Sequence, residues 1–203
     1  MTPITHLLYL HGFRSSPRST KARMVCERLA SRHPEVTVWC PQLPPSPRDA
    51  MALLQSGTAH WPSASMGVIG SSLGGFYATY LAQNRGCLAA VLNPAVNPAR
   101  DLAKYIGEHS SWHDPQDTFF FKSSYIEELQ ALTLGELSAA QHIYALIAKG
   151  DEVLDWREMQ ARYAQAHVHL LEGGDHALSG FEAHIDEVLA FFGLGGSVSN
   201  ALS

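Results

Sequence analysis

Three side chains in this sequence have the types and order needed to activate a hydroxyl: Ser72, Asp151 and His176. A serine hydroxyl is a weak nucleophile at neutral pH. It becomes reactive when a base within hydrogen-bond reach takes its proton and a third group orients that base and stabilises its charged form. Ser72 is the centre of Gly70-Ser71-Ser72-Leu73-Gly74, a G-x-S-x-G pentapeptide that follows an apolar run and opens a helical pattern. A serine in that setting stands on a strained strand-to-helix turn. The crowding there leaves no room for a Cβ two residues before or after it, so glycine is required at both places. The pentapeptide alone does not decide the matter, because three such residues recur by chance in roughly one chain of this length in fifteen. A plain polar turn and a phosphate-cradling loop are the competing readings.

On this reading Ser72 is the nucleophile, His176 is the general base and then general acid, and Asp151 is the orienting carboxylate. Asp155 is the rival acid, but it stands where a helix begins and an N-cap role accounts for it. Asp175 adjoins His176, and side chains on adjacent residues diverge, so it is expected to border the site or cap a turn. Attack on an acyl carbonyl needs two backbone N–H groups aimed at the developing oxyanion. Leu73, at a helix start, and Phe13, in His11-Gly12-Phe13, are the expected donors. His11, Gly12, Arg14 and Ser71 are expected around the substrate; Ser71 lacks the flanking glycines of a nucleophile. Trp112 and Phe119-Phe120-Phe121 are read either as lining for an acyl pocket or as the core of a local subdomain. Cys40 and Cys87 are read as core residues rather than nucleophiles.

The elements that must position these residues are short apolar runs alternating with helical patterns. Strands are expected at 6–10, 36–40, 66–70, 88–92, 143–148 and 168–171. Helices are expected at 19–33, 49–57 (with Asp49 as its N-cap), 73–85, 156–166 and 181–192, with Gly86 as a C-cap. The stretch 94–141 breaks the rhythm. It carries no clear strand and reads as an inserted helical cap with a short helix at 125–131; residues 193–203 read as a frayed tail. Alternation of this kind implies β-α-β units, a mostly parallel sheet and one α/β domain. Such sheets place ligands beyond the carboxyl ends of their strands. His11-Gly12, Ser72, Asp151 and His176 each follow an expected strand.

Composition bounds the alternatives. The chain has 203 residues, 46% apolar and 16% charged, which fits one well-cored globular unit. Its net charge of −5 includes no basic cluster and argues against a nucleic-acid or anionic-membrane surface. No apolar run approaches the ~18 residues of a membrane span. The three cysteines are odd in number, widely spaced and lack a C-x-x-C, so neither a disulfide framework nor a zinc knuckle is expected, and a reducing cytoplasm fits. The N-terminus has no signal-peptide pattern. Among 11 histidines, His167 with His169, on one strand face, and His109 with His113, on one helical face, could pair on a metal. Neither pair has a placed third ligand, so no metal and no cofactor are expected.

Several segments together resemble the YqiA-type esterases, small bacterial α/β-hydrolases. These are Tyr9-Leu10-His11-Gly12-Phe13, Ser15-Ser16-Pro17 with Lys21-Ala22, Pro41-Gln42-Leu43-Pro44, Gly70-Ser71-Ser72-Leu73-Gly74-Gly75, Asn93-Pro94-Ala95-Val96, Gly150-Asp151-Glu152-Val153-Leu154-Asp155 and Gly173-Gly174-Asp175-His176-Ala177. The resemblance spans about residues 6–192. It implies an α/β-hydrolase fold, with helices on both sheet faces, and hydrolysis of a small-molecule acyl ester or thioester. The chain order serine, acid, histidine is that of α/β-hydrolases, and the resemblance favours Asp151 over Asp155. Arg14 and Asp175 depart from the family pattern, where asparagine is expected; they would bear on substrate charge and on the protonated base. An acyl-CoA thioesterase or acyltransferase would use the same three residues, and a non-catalytic binding protein of this fold is the reading from another class.

Overall fold

The computed structural model describes residues 2–111, 116 and 118–195. In chain order its elements begin with strand β1 (His6–Leu10), helix α1 (Thr20–Arg32), β2 (Thr37–Trp39), α2 (Pro47–Gly57), β3 (Met66–Ser71), α3 (Leu73–Arg85) and β4 (Leu88–Leu92). They continue with α4 (Pro98–Leu102), β5 (Gly107–Ser110), β6 (Thr118–Phe121), α5 (Ser124–Ala131), β7 (Ile143–Ala148), α6 (Trp156–Arg162), β8 (His167–Leu171) and α7 (Ile185–Phe191). Six strands form one sheet in the order β2-β1-β3-β4-β7-β8, and every pair in it is parallel.

The strands read as unbroken apolar runs because both faces are covered. Leu8, Leu10, Val68, Val91 and Ile147 point to one side and pack with residues of α2, α3, α5 and α6. Leu7, Tyr9, Ile69, Leu92 and Leu146 point to the other and pack with α1 and α7. Strand β2 lies on one side of β1 and β3 on the other, so the order reverses at β1 and β3 and opens a crevice above their carboxyl ends. Gly12 and Ser72 follow those two ends.

Helix boundaries follow capping chemistry. The Ser46 side chain accepts from the Asp49 N–H, so α2 starts at Pro47 and Ser46, rather than Asp49, is its cap. Gly86 ends α3 in the left-handed conformation, φ 69°, as its position indicated. Helix α6 stops at Arg162, short of 166, and the expected helix 181–192 divides into a 3-10 turn at Phe181–Ala183 and α7. Leu194, expected in a frayed tail, is buried, and its carbonyl accepts from His33 Nε2 at 2.9 Å.

The stretch 94–141 is not wholly helical. Its β5 and β6 pair antiparallel as a second, two-stranded sheet. Phe119-Phe120-Phe121 supplies the aromatic strand propensity, and the pleat sends Phe121 inward and Phe120 out to solvent. Its partner, Gly107-Glu108-His109-Ser110, is too polar to announce itself by an apolar period. Nor do the described residues of this stretch build a separate core: Leu102, Phe121 and Leu129 join the same packed cluster as Leu8 and Val68.

The tightest packing lies at the turn after β3. A Cβ on Gly74 would stand 2.1 Å from the Leu10 carbonyl oxygen, and one on Gly70 would stand 2.2 Å from the Gly74 oxygen. Both obstacles are backbone, so neither can move aside cheaply. Gly74→Ala is expected to destabilise by ~3 kcal/mol or more and to lower the thermal midpoint by roughly 6–12 °C. Gly135→Ala, where an added Cβ meets nothing within 4 Å, is the control. Equal midpoints for the two variants would contradict the close approach.

Candidate active site

Ser72 links β3 to α3 with φ 55° and ψ −119°, a strained conformation for a residue with a side chain. The strain is held from several sides. The Ser72 N–H donates to the Leu92 carbonyl at 3.0 Å, continuing the sheet, and the Ser72 carbonyl accepts from Gly75 and Ala95 N–H groups at 2.9 and 3.0 Å. Ser72 occupies the N-cap position of α3, yet its hydroxyl caps nothing there. It meets His176 Nε2 at 3.0 Å instead.

His176 Nδ1 lies 2.7 Å from Asp151 Oδ2, and the Asp151 side chain is fully buried while that of His176 is 21% exposed. The other Asp151 oxygen accepts from the Val153 and Leu154 N–H groups, both at 2.8 Å. A buried carboxylate held this way presents a fixed oxygen to Nδ1. That places the Nδ1 proton and leaves Nε2 as the acceptor facing the Ser72 hydroxyl. Asp155 takes no part. It caps α6, accepting from the Arg157 N–H at 2.9 Å, as its place in the sequence indicated.

The loops that carry Asp151 and His176 are tied together. The Gly150 N–H donates to the Gly173 carbonyl at 2.9 Å, and Lys149 N–H to the Leu171 carbonyl at 3.0 Å. The Glu152 carboxylate accepts from the His176 N–H at 3.0 Å. The Asp175 carboxylate turns back to Ser179, taking both its N–H and its hydroxyl. Those bonds, the hydroxyl first, hold it below the usual carboxylate range. Asp175 thus caps a turn beside His176.

Sequence reasoning missed the role of Asn93. It is fully buried just past β4, with φ 41°. Its Nδ2 donates to the carbonyls of Asp175 and His176 at 2.9 and 3.2 Å, and its Oδ1 accepts from the Ala148 N–H at 2.8 Å. One amide therefore joins the ends of β4 and β7 to the histidine loop. The available signal was an asparagine directly after a buried strand, since asparagine tolerates positive φ.

The loop after β1 lies against Ser72: a Cβ on Gly12 would stand 3.1 Å from the Ser72 Cβ. His11, expected at the substrate, is buried, and both ring nitrogens engage backbone. Nε2 accepts from the Leu43 N–H at 3.1 Å, so Nδ1 carries the proton and donates to the Gly12 carbonyl at 2.9 Å. His11 therefore braces the loop. The Phe13 ring inserts among Tyr105, His109, Phe119 and Phe121, with centroids 5.2–5.8 Å away. Arg14, at φ 58°, donates from Nε to the Ser110 carbonyl at 2.9 Å. Both residues fasten this loop to the β5–β6 hairpin.

Two cavities flank the loop. One, of about 520 Å³, is bounded by Phe13, Arg14, Leu43, Leu53, Leu73 and Phe119, among others. The second, of about 430 Å³, contains Ser72, His176, Ser71, Tyr9 and Lys21 in its wall. His11 and Gly12 border both. Phe119 thus lines a cavity while Phe121 joins the core; Trp112 and His113 lie outside the described residues. His109 is on a strand rather than a helix and donates to the Tyr105 carbonyl at 2.5 Å. His169 pairs with Glu187 of α7 at 2.9 Å beside His184, while the His167 ring packs on Phe191. Burial raises the Cys87 thiol to about 11 and the Cys40 thiol to about 12, away from thiolate chemistry at neutral pH.

Sheet order, the strained strand-to-helix turn at Ser72 and the loop positions define an α/β-hydrolase fold. Solved structures agree over nearly the whole chain. The α/β-hydrolase domain-containing protein 10 from mouse superposes with a TM-score of 0.70 at 17% identity, covering 94% of this chain and 90% of that one. A structure of the metagenome-derived lipolytic enzymes LipS and LipT gives 0.68 at 16%, covering 94% and 95%. An esterase from Pyrococcus furiosus gives 0.58 at 17%, covering 94% and 82%. Residues 6–193 match the uncharacterised protein family UPF0227, and the chain belongs to that family, the YqiA family.

Asn93→Ala removes three buried hydrogen bonds and leaves the Ala148 N–H unpaired. It is expected to cost about 2–4 kcal/mol, read as an earlier midpoint in urea unfolding at unchanged slope. A midpoint equal to the parent's would remove Asn93 from the framework of the site.

Proposed function

We propose that this chain is a serine esterase that hydrolyses carboxylic esters through an acyl-serine intermediate. The observation that carries the reading is the continuous hydrogen-bonded line Ser72 Oγ, His176 Nε2, His176 Nδ1, Asp151 Oδ2, at 3.0 and 2.7 Å, beyond the carboxyl ends of parallel strands. The lipolytic and esterase descriptions of two similar structures agree with it.

The chemistry follows from the geometry. His176 Nε2 takes the Ser72 proton as Oγ attacks the ester carbonyl, and the buried Asp151 carboxylate stabilises the imidazolium that forms. The Leu73 N–H, at the first position of α3, has no acceptor one turn back within the helix. Together with the Phe13 N–H it receives the developing oxyanion, aided by the helix dipole. His176 then gives its proton to the leaving oxygen, the acyl–oxygen bond breaks, and water repeats the cycle on the acyl-serine. Because the general acid must reach the leaving oxygen, the leaving group faces the His176 cavity. The acyl chain then faces the apolar cavity of Leu43, Leu53 and Phe119. The stretch 94–141 acts as a cap over that side, held to the oxyanion loop by Phe13 and Arg14.

Turnover of p-nitrophenyl butyrate tests the assignment. Ser72→Ala and His176→Ala are each expected to lower kcat by about a thousand-fold or more, and Asp151→Asn by roughly a hundred-fold or more. Asp155→Asn, which touches only a helix cap, stays within a few-fold of the parent. Full activity in Ser72→Ala, or equal losses in the two aspartate variants, would overturn these roles.

A further inference from the structure

The cavity beside His176 holds a cation that no carboxylate among the described residues reaches at ion-pair distance. Lys21 lies in the first turn of α1, half-buried, and its Nζ donates to the Ala177 carbonyl, one residue beyond the base. Burial, opposed only by the more distant Asp175 and Asp151, pushes its pKa below the ordinary lysine value. An ammonium in that state is stabilised by any anion brought to it.

Two further groups face the same space. The N-terminal turn of α1, a helix of 13 residues, borders this cavity through Ser19, Thr20 and Lys21. Its first N–H groups and dipole favour negative charge there. Tyr9 also lines the cavity. It is fully buried, and its hydroxyl makes no well-formed hydrogen bond, although the Ser19 and Ser71 side chains lie near it. A buried hydroxyl whose neighbours are poorly placed to bond it is better satisfied by a ligand oxygen. Nothing comparable among the described residues stands in the other cavity, where Arg14 is committed to the Ser110 carbonyl.

We propose that Lys21, the first turn of α1 and the Tyr9 hydroxyl form an oxyanion-binding subsite on the leaving-group side of Ser72. The substrates of this enzyme are then esters whose alcohol carries a carboxylate or a phosphate a few atoms from the scissile oxygen. The inference rests on the esterase reading, because that reading makes this cavity the leaving-group side. The acid step is unchanged: His176 delivers its proton to the alcohol oxygen, and the anionic alcohol leaves past α1.

Three butyrate esters of similar size and leaving-group basicity separate the outcomes: one neutral, one with a carboxylate on the alcohol and one with a phosphate. The parent protein is expected to turn over at least one anionic ester with kcat/KM roughly ten-fold or more above the neutral one, and the better anion identifies the source. Lys21→Met brings that ratio close to one, Lys21→Arg restores part of it, and Tyr9→Phe lowers it several-fold. Added sodium chloride narrows the ratio in the parent and not in Lys21→Met. A ratio near one in a parent that hydrolyses the neutral ester overturns the subsite and leaves the esterase reading standing. Equal losses on neutral and anionic esters in Lys21→Met also overturn it, since Lys21 would then only hold the Ala177 loop. Turnover of none of the three overturns the esterase reading and the subsite with it.

Discussion

The structure depends on three stretches of backbone meeting where side chains cannot fit. The end of β1, the end of β3 and the start of α3 approach so closely that a Cβ on Gly74 would lie 2.1 Å from the Leu10 oxygen. That approach forces the chain to turn abruptly at Ser72 and lifts its hydroxyl clear of α3. It also brings Gly12, at the end of β1, against the Ser72 Cβ. Ser72 and the loop after β1 are therefore fixed by one packing event. Glycine is needed there for space, and the strained Ser72 φ persists because the surrounding hydrogen bonds over-determine it.

The remaining groups arrive from the far side of the sheet and need their own alignment. Asp151 follows β7 and His176 follows β8, and both strands are parallel neighbours, so their loops leave the sheet side by side. Asn93 then locks that pair of loops to β4, adjacent to β3, through one buried amide. The result is a chain of contacts from Ser72 across β4 to the His176 loop, made through backbone and the buried Asn93 amide. Such a framework loses little conformational entropy in holding His176 Nε2 at 3.0 Å from the Ser72 hydroxyl.

Much of this was legible from residue order. Both-face burial makes parallel strands read as plain apolar runs, so all six strands of the main sheet stood out at 6–10, 36–40, 66–70, 88–92, 143–148 and 168–171. The residues after them could then be placed at one sheet edge. Ser72, Asp151 and His176 were singled out as candidates that way, and the structure brings their side chains within hydrogen-bond distance; the helix-cap role of Asp155 followed from its position. What the sequence hid was cooperative. His11 read as a substrate contact, yet its ring braces Gly12 to Leu43, a partner 32 residues away that no local pattern indicates. The β5–β6 pair was invisible because one strand is polar and the Phe13 ring packed against it comes from a distant loop. Asn93 and Lys21 belonged to recognisable segments, but their partners become apparent only when distant loops meet.

Labelling with a fluorophosphonate, read by intact mass and peptide mapping, measures the nucleophilicity of Ser72 most directly. The phosphorus bonds to the oxygen of an activated serine as fluoride leaves, with the proton passing to the base. The expected result is one adduct per chain, on Ser72, absent in Ser72→Ala and slowed about a hundred-fold or more in His176→Ala. An adduct on any other residue, or labelling of Ser72 that proceeds at the parent's rate without His176, would contradict a nucleophile built by this turn and activated by this base.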